Sequence, residues 1–187
     1  MAKTKEQLLN ILAQFQLDEK VVSAEPFGNG HINDTLKVTN EKGEIKYVLQ
    51  RINHLIFTNV DMLQNNIHVV TTHIRKKLEE KGETDIDRKV LTFLPTKDGK
   101  KYYFDGDSYW RICLFIPRSK SYEEVTPELS YEAGKAFGDF QTMLSDIPEG
   151  TLGETIPDFH NMEFRLRQFH EAVAAIEETH EPLRYKS

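Results

Sequence analysis

Two glycines stand in a short polar stretch, Gly28-Asn29-Gly30-His31, between two predicted strands. Glycine lets a backbone turn its N–H groups toward a phosphate, because no Cβ obstructs the approach. The spacing matches neither a Walker loop nor a dinucleotide fingerprint, and neither Lys-Ser nor Lys-Thr follows. The stretch therefore indicates either a tight turn or a loop that holds the phosphates of a nucleotide.

A strand that ends in Gln50 and Arg51 precedes a long helix. Where a glycine-containing loop, a strand and a helix follow one another in this way, a strand side chain can hold phosphates and be braced from the helix. Gln50 and Arg51 are the candidates for this role. Alternation places their side chains on opposite faces of the strand, so only one faces a nucleotide unless a bulge intervenes. For Arg51, the alternative is an exposed residue at a strand end.

An apolar run from Trp110 to Ile116 ends at Pro117. A segment that crosses between two lobes can offer backbone N–H and C=O groups to the edge of an adenine, while apolar side chains sandwich its ring. Phe115 and Ile116 would occupy that position. A core strand that binds no ligand has the same pattern, so both interpretations stay open.

The sequence contains a single cysteine, Cys113, within this apolar run. One cysteine forms no internal disulfide and no multi-cysteine metal site, which suits a reducing cytoplasm. Cys113 is expected to pack as a small core residue rather than to react. Hydrolase chemistry would need an activated Cys or Ser together with a metal cluster, and the sequence motifs supply neither.

Hydrophobic spacing and turn residues predict the elements that position these groups. A helix over 59–81 is the clearest, because apolar residues recur in it at steps of three and four and Gly82 follows its basic last turn. In chain order, the prediction is a helix over 4–17 with a Thr4/Gln7 capping box, a strand from 21, a hairpin around 40–43, the helix over 59–81, strands near 90–94, 101–104 and 108–116, a helix from the Thr126 cap to about 145, and a helix from about 161.

The predicted fold class is α+β, an antiparallel sheet with one long helix followed by further helices. The strand pattern ends near residue 117 and helical spacing takes over there. This boundary divides the chain into a domain over 1–117 and a linker and helical segment over 118–187. A length of 187 residues with 39% hydrophobic residues suffices for one hydrophobic core.

The net charge indicates which classes of partner are expected. The formal net charge is −6, so no general basic field attracts nucleic acid or an anionic membrane surface, and neither is an expected partner. No window approaches the roughly 18 apolar residues of a membrane span, and the first residues lack the apolar region of a signal peptide. A cytoplasmic location is therefore expected.

Several segments together resemble one family. The stretches from Ser23 to Asp34, from Tyr47 to Asn53, from Ala136 to Gln141 and from Glu154 to Asn161, with Asn66-Ile67 in the long helix, resemble the N-acetylhexosamine 1-kinases. That family belongs to the aminoglycoside phosphotransferase and choline kinase-like group. The resemblance runs almost end to end. It implies a protein kinase-like small lobe over 1–117, followed by the first helices of a helical lobe.

The resemblance also implies an activity and a set of sites. The activity is ATP-dependent phosphorylation of the anomeric hydroxyl of an N-acetylhexosamine, with Mg²⁺. The loop glycines and Asn29 match the family's phosphate-side loop, and Phe115 to Pro117 match its adenine-contacting hinge. His31 lies at the loop tip, where it would meet the sugar or the phosphate, and the alternative is an ordinary loop residue. His160 is in a segment, Phe159-His160, that matches part of the helical lobe near the acceptor pocket, so both histidines are candidates for substrate binding.

The sequence departs from the kinase pattern in two places. No His-x-Asp-x-x-x-x-Asn arrangement occurs, and Asp158-Phe159-His160 is not the metal-binding Asp-Phe-Gly motif, so the catalytic Asp and the magnesium ligands are expected outside this chain. The long helix carries Gln64, Asn65 and Asn66 where a Glu usually braces the strand. The chain is thus expected to be an amino-terminal part that is not catalytically competent alone. The alternative is a non-catalytic binding or interaction module, with self-association through an exposed lobe surface.

Overall fold

The computed structural model describes residues 3–28, 30–122 and 124–178. The chain divides into two compact units, Met1–Thr155 and Ile156–Ser187. The domain boundary predicted near residue 117 lies within the first unit and stays a prediction. Asn29, one of the predicted loop residues, lies outside the described residues.

The described part of the chain has an α+β fold, as the sequence predicts. In chain order the elements are α1 (Lys5–Leu12), β1 (Val21–Pro26), β2 (Asp34–Asn40), β3 (Ile45–Ile52), α2 (Val60–Glu80), the 3-10 helix Ile86–Arg88, β4 (Phe93–Leu94), β5 (Tyr103–Phe104), β6 (Tyr109–Leu114), α3 (Pro127–Leu144) and α4 (Met162–Glu178). Only α4 lies in the second unit. The strands predicted near 90–94 and 101–104 are present but only two residues long.

Six strands form one antiparallel sheet in the order β1-β2-β3-β6-β4, and β5 also pairs with β6. The predicted turn at 40–43 joins β2 to β3. The Asn40 side chain accepts the N–H groups of Lys42 at 3.0 Å and Glu44 at 2.9 Å, and Gly43 has a φ of 81°. This turn fixes the register of the two central strands.

Helix α1 begins with the predicted capping box, in which the Thr4 hydroxyl accepts the Gln7 N–H and the Gln7 side chain accepts the Thr4 N–H. The helix ends at Leu12, so the prediction for 13–17 was wrong. Backbone pairing with 95–97 replaces the last turn: Gln16 N–H donates to Pro95 O at 3.0 Å, and Lys97 N–H donates to Gln14 O at 2.7 Å. Tertiary hydrogen bonds satisfy these groups better than continued helix.

The sheet has two distinct faces. The α1 face carries the main core, formed by Leu8, Ile11, Leu12 and Phe15 with the strand residues Val38, Tyr47, Leu49, Trp110 and Ile112. The opposite face, called the α2 face, carries Ile52, which packs on Val60 and Leu63 of α2. Alternation along β3 therefore assigns Leu49 to the α1 face and Val48 to the α2 face.

Helix α2 matches the predicted span. Asn59 caps it by accepting the Met62 N–H at 2.9 Å. Its far end packs with Val90 through Ile74 and Leu78, and α3 reaches this cluster through Met143 and Leu144. The long helix is thus held at both ends.

Helices α3 and α4 begin where the sequence predicts. Thr126 caps α3 by accepting the Leu129 N–H at 3.3 Å, with Pro127 as its first residue. In the second unit, the Asn161 side chain accepts the Phe164 N–H at 3.1 Å at the start of α4. Over the described residues, no helix is both long and apolar enough to cross a lipid bilayer.

Candidate functional site

The two strand candidates, Gln50 and Arg51, lie on opposite faces of the sheet. Gln50 pairs in register with Thr35 of β2 and Arg111 of β6, on the α2 face. Arg51 lies on the α1 face, where its guanidinium contacts the Asp34 carboxylate and its Nε donates to Asp34 Oδ2 at 2.6 Å. No bulge interrupts β3 between them. Helix α2 therefore covers the face that carries Gln50.

On the α2 face, three polar side chains form a row across β2, β3 and β6. Gln50 Nε2 donates to Thr35 Oγ1 at 3.1 Å, and Gln50 Oε1 accepts from Arg111 Nε at 2.9 Å. Because both ends of the amide are engaged, Gln50 fixes the orientation of the guanidinium. The positively charged side chain of this row is therefore Arg111 of β6, and β3 contributes the neutral side chain of Gln50.

Arg111 is a partly buried cation with an unmet hydrogen-bonding group. Its Nη1 is closed to solvent and has no hydrogen-bond partner. The guanidinium carbon lies 5.4 Å from the centre of the Phe93 ring, which gives a cation–π contact. Burial lowers the pKa of Arg111, since desolvation disfavours the charged form, and no carboxylate of the described residues opposes this effect.

The predicted hinge lies directly after β6. Phe115 N–H donates to Lys46 O at 2.8 Å, so strand pairing continues one residue beyond the strand. Alternation puts Phe115 on the α2 face, and its ring meets the ring of Phe27 edge-on with centroids 6.0 Å apart. The carbonyl oxygens of Ile116 and Pro117 accept from Ser119 Oγ and from the Arg88 side chain.

This aromatic contact joins the loop to the hinge. Phe27 extends the β1–β2 ladder by donating its N–H to Thr35 O at 2.9 Å, and Gly28 follows with a φ of 80°. The positive φ is what requires glycine at position 28. The start of the glycine loop, Gln50 and Phe115 thus share the α2 face.

The glycines themselves border a cavity on the other face. A cavity of about 780 Å³ is lined by Gly28, Gly30 and Arg51, together with Lys3 and Lys5. Three of the predicted nucleotide residues therefore meet on the α1 face. Arg51 is committed to Asp34 there, which leaves it a weaker anion ligand than an unpaired guanidinium.

Asp105 is a polar centre that sequence reasoning missed. Its carboxylate accepts from Trp110 Nε1 at 2.9 Å and from the Ser108 N–H at 2.8 Å, and it lies 2.8 Å from Lys3 Nζ. Burial alone would raise the pKa of Asp105, but these hydrogen bonds and the one from the Asp107 N–H outweigh it and lower the pKa to about 2. Asp105 is followed by Gly106, a pair that is typical of a turn, and such a pair gives no local signal of this hydrogen-bonding role.

The two predicted sugar-side histidines fall in different units. His31 is exposed in the loop between β1 and β2, and it borders a cavity of about 270 Å³ with Asn53 and His54. His160 is exposed in the second unit, where its ring meets the Phe159 ring edge-on at 4.9 Å. Both assignments stay predictions.

Helix α2 offers amides where a kinase brace is usually acidic. Gln64 is 3% exposed, and its Nε2 is closed to solvent without a hydrogen-bond partner. Asn65 is exposed and accepts from Lys101 Nζ at 3.0 Å. Asn66 forms two hydrogen bonds with the backbone of Gly153: Nδ2 donates to the carbonyl at 2.6 Å, and Oδ1 accepts the N–H at 3.0 Å. Of the three, Gln64 is the one turned into the protein.

A second polar cluster joins the end of α2 to the end of α3. The Lys77 Nζ donates to Met143 O at 2.7 Å and contacts Asp146, whose carboxylate also lies 2.9 Å from His73 Nε2. Hydrogen bonds from Lys77 and His73 lower the pKa of Asp146 to about 2. Lys77, in the basic last turn of α2, thus binds the Met143 carbonyl oxygen and the Asp146 carboxylate at the end of α3.

Metal ligands are not part of this arrangement. In the part of the chain that the structure describes, no three His, Cys, Asp or Glu side chains are grouped so that they could hold a metal ion. No protein-family model matches the sequence.

Proposed function

We propose that this chain is the nucleotide-binding part of an ATP-dependent sugar kinase that phosphorylates the anomeric hydroxyl of an N-acetylhexosamine. One observation carries the proposal: the residue before the glycine loop, the polar residue of β3 on the α2 face and the segment after β6 lie on one face of the sheet, although the loop glycines border the cavity on the other face. Phe27, Gln50 and Phe115 mark these three places. A kinase small lobe needs this combination of loop, strand and hinge.

The chemistry of that face suits ATP. Phe27, Phe115 and the partly exposed Val48 provide apolar walls for a purine ring, while Arg111, held by Gln50, provides the positive charge on the phosphate side. The Nη1 of Arg111 is buried and has no hydrogen-bond partner among the described residues, so the protein itself does not balance this donor. When bound, Mg²⁺ would neutralise phosphate charge, and its protein ligands and the catalytic Asp are proposed to lie outside this sequence.

In this proposal the chain binds and orients ATP, and His31 contributes to the acceptor side. The chain does not supply the base or the second carboxylate. Phosphoryl transfer depends on positioning and on electrostatic stabilisation, and part of both comes from the base and the magnesium-binding carboxylate. Because a lobe of this kind lacks these two groups, it is expected to bind nucleotide without turnover.

Calorimetric titration with Mg-ATP tests the proposal. The expected result is saturable binding, with no phosphorylation of N-acetylglucosamine or N-acetylgalactosamine in a coupled assay. The single tryptophan, Trp110, is buried on the α1 face and lines its cavity, so its fluorescence reports nucleotide bound there. Binding without a Trp110 change supports the α2 face. Absence of binding at millimolar Mg-ATP contradicts the proposal.

A second candidate function is a non-catalytic interaction module that self-associates. Helix α3 favours it, because large apolar side chains lie on its surface: Tyr131 is 71% exposed and Phe137 is 70% exposed. Such a surface is typical of a binding interface. Sedimentation equilibrium tests it: a dimer that Phe137→Glu dissociates supports this function, and a monomer at high micromolar concentration contradicts it.

A further inference from the structure

Arg111 stands out on the α2 face because its charge has no acidic partner among the residues that the structure describes. A buried charge is costly unless it is paired, and a buried donor without an acceptor adds a further penalty. The Arg111 Nη1 has no partner within the described part of the chain. The hydrogen bond to Gln50 and the contact with Phe93 therefore compensate the burial of this cation only in part.

The other nearby cations of the sheet are engaged. Lys37, on the same face, lies 3.6 Å from Glu25, and Arg51 is paired with Asp34 on the opposite face. Lys46, near the other end of β3, has both Glu19 and Glu44 as partners. Among these cations only Arg111 has no acidic partner in the described part of the chain, so its charge is the one that the protein itself does not neutralise.

The position of Arg111 is set by its neighbours. It pairs with Gln50 in the β3–β6 register. The next residue pair on the same face, two positions along the strands, is Ile52 with Tyr109, and α2 packs there. Gln50 is the polar residue of β3 on the α2 face, and kinases carry a phosphate-binding lysine on the corresponding strand. An uncharged amide stands there instead, and it accepts a hydrogen bond from the arginine of the adjacent strand.

We propose that Arg111, oriented by Gln50, supplies from β6 the positive charge that binds the nucleotide phosphates. This inference rests on the proposed function. In this proposal the positively charged residue is on β6 and not on β3. Gln50 positions the guanidinium, and Arg111 is the phosphate ligand. A planar guanidinium binds phosphate oxygens through two parallel hydrogen bonds, which an ammonium cannot do.

The first experiment compares Arg111→Met with the wild-type chain. Mg-ATP binding is expected to weaken by about 10- to 100-fold, which is the usual effect of losing hydrogen bonds to a charged group. The unfolding temperature without ATP is expected to stay the same or rise, because an apolar side chain replaces an unpaired buried charge. Lys20→Met, at an exposed cation that is paired with Glu41 and lies outside the proposed site, is the charge-matched control, and it is expected to leave ATP affinity within about twofold.

The second experiment moves the charge back. The double variant Gln50→Lys, Arg111→Gln places the cation on β3 and an amide on β6, so the pair of side chains is exchanged in kind. It is expected to recover most of the affinity that the single variant Arg111→Gln loses. Recovery by charge alone is a result that a purely structural role for Arg111 does not produce.

The outcomes separate this inference from the proposed function. Wild-type binding of Mg-ATP with equal affinity for Arg111→Met overturns the phosphate role and leaves the nucleotide proposal standing. A large fall in unfolding temperature for both Arg111→Met and Arg111→Gln, with no rescue by the double variant, assigns Arg111 to structure and overturns the inference. Absence of wild-type binding overturns both.

Discussion

Gln50 Oε1 accepts a hydrogen bond from Arg111 Nε at 2.9 Å, and this contact joins two neighbouring strands on the face that α2 covers. The neutral amide of Gln50 thus stands on β3, where the kinase resemblance leads us to expect a cation. The cation, Arg111, stands on β6, whose residues are otherwise mostly apolar. The stability of the sheet and its affinity for anions should therefore depend in opposite ways on residue 50.

Gln50→Glu tests this opposition. A carboxylate beside Arg111 satisfies the buried guanidinium, so the unfolding temperature at pH 7 is expected to rise, while Mg-ATP binding weakens because the cation is neutralised. The introduced Glu is expected to have a lowered pKa in the folded chain. Its gain is then present above the unfolded pKa of about 4.3 and is lost as the pH falls below it. Thermal scans at pH 3 and pH 7 measure this, and equal unfolding temperatures for variant and wild type at pH 7 contradict it.

The acid stability of the chain should depend on Asp105. Its pKa is lowered to about 2 in the folded chain, so its contribution is present above its ordinary pKa and is lost as the pH falls from about 4 to about 2. Asp105→Asn is expected to lower stability at pH 7 by roughly 1–3 kcal/mol and to flatten the dependence over that pH range. Urea unfolding at a series of pH values measures the effect. Asp107→Asn, at a carboxylate whose side chain is 76% exposed, is the control, and a similar pH profile for both variants contradicts the assignment.

Asn66 should stabilise the segment around Gly153. Asn66→Ala removes both hydrogen bonds to the Gly153 backbone, with an expected loss of roughly 1–3 kcal/mol. Asn65→Ala is the matched control, because the neighbouring exposed residue contacts only Lys101, and a change within about 0.5 kcal/mol is expected there. Chemical denaturation of the two variants compares them, and equal losses argue against a specific role of Asn66.

Cys113 should be unreactive in the folded chain. It is 6% exposed, and burial raises its pKa to about 11. The thiolate fraction at pH 8 is then roughly 100-fold below that of an ordinary thiol, and alkylation is expected to slow accordingly. The rate of iodoacetamide labelling, measured without urea and in about 8 M urea, tests this. Urea lowers the free energy of unfolding by roughly 1–3 kcal/mol per molar, so this concentration is expected to unfold the chain. Equal rates in the two conditions contradict the buried position.

Periodicity and turn chemistry predicted much of the fold. The apolar steps of α2 and the Asn40 turn are local signals, and both elements appear where the sequence places them. The last turn predicted for α1 is absent because Phe15 and its neighbours pair with residues 95–97, a contact over 80 positions that no local pattern reveals. Local sequence determines an element only where tertiary pairing does not compete.

The candidate site could be predicted only in part. Alternation separates Gln50 from Arg51, but which of the two faces α2 depends on how Ile52 packs on the helix. Arg111 was missed because it lies in an apolar run that predicts a core strand. The signal was present, since a single arginine within such a run is rarely buried without a purpose.

Nucleotide binding on the α2 face is the central claim, and methyl NMR during a Mg-ATP titration tests it most directly. Val48 reports the α2 face, and Leu36, which lines the cavity on the α1 face, reports the other. The account predicts saturable shifts of the Val48 methyl signals with the Leu36 signals unchanged. Shifts of Leu36 without Val48, or no shift of either at millimolar Mg-ATP, would contradict it.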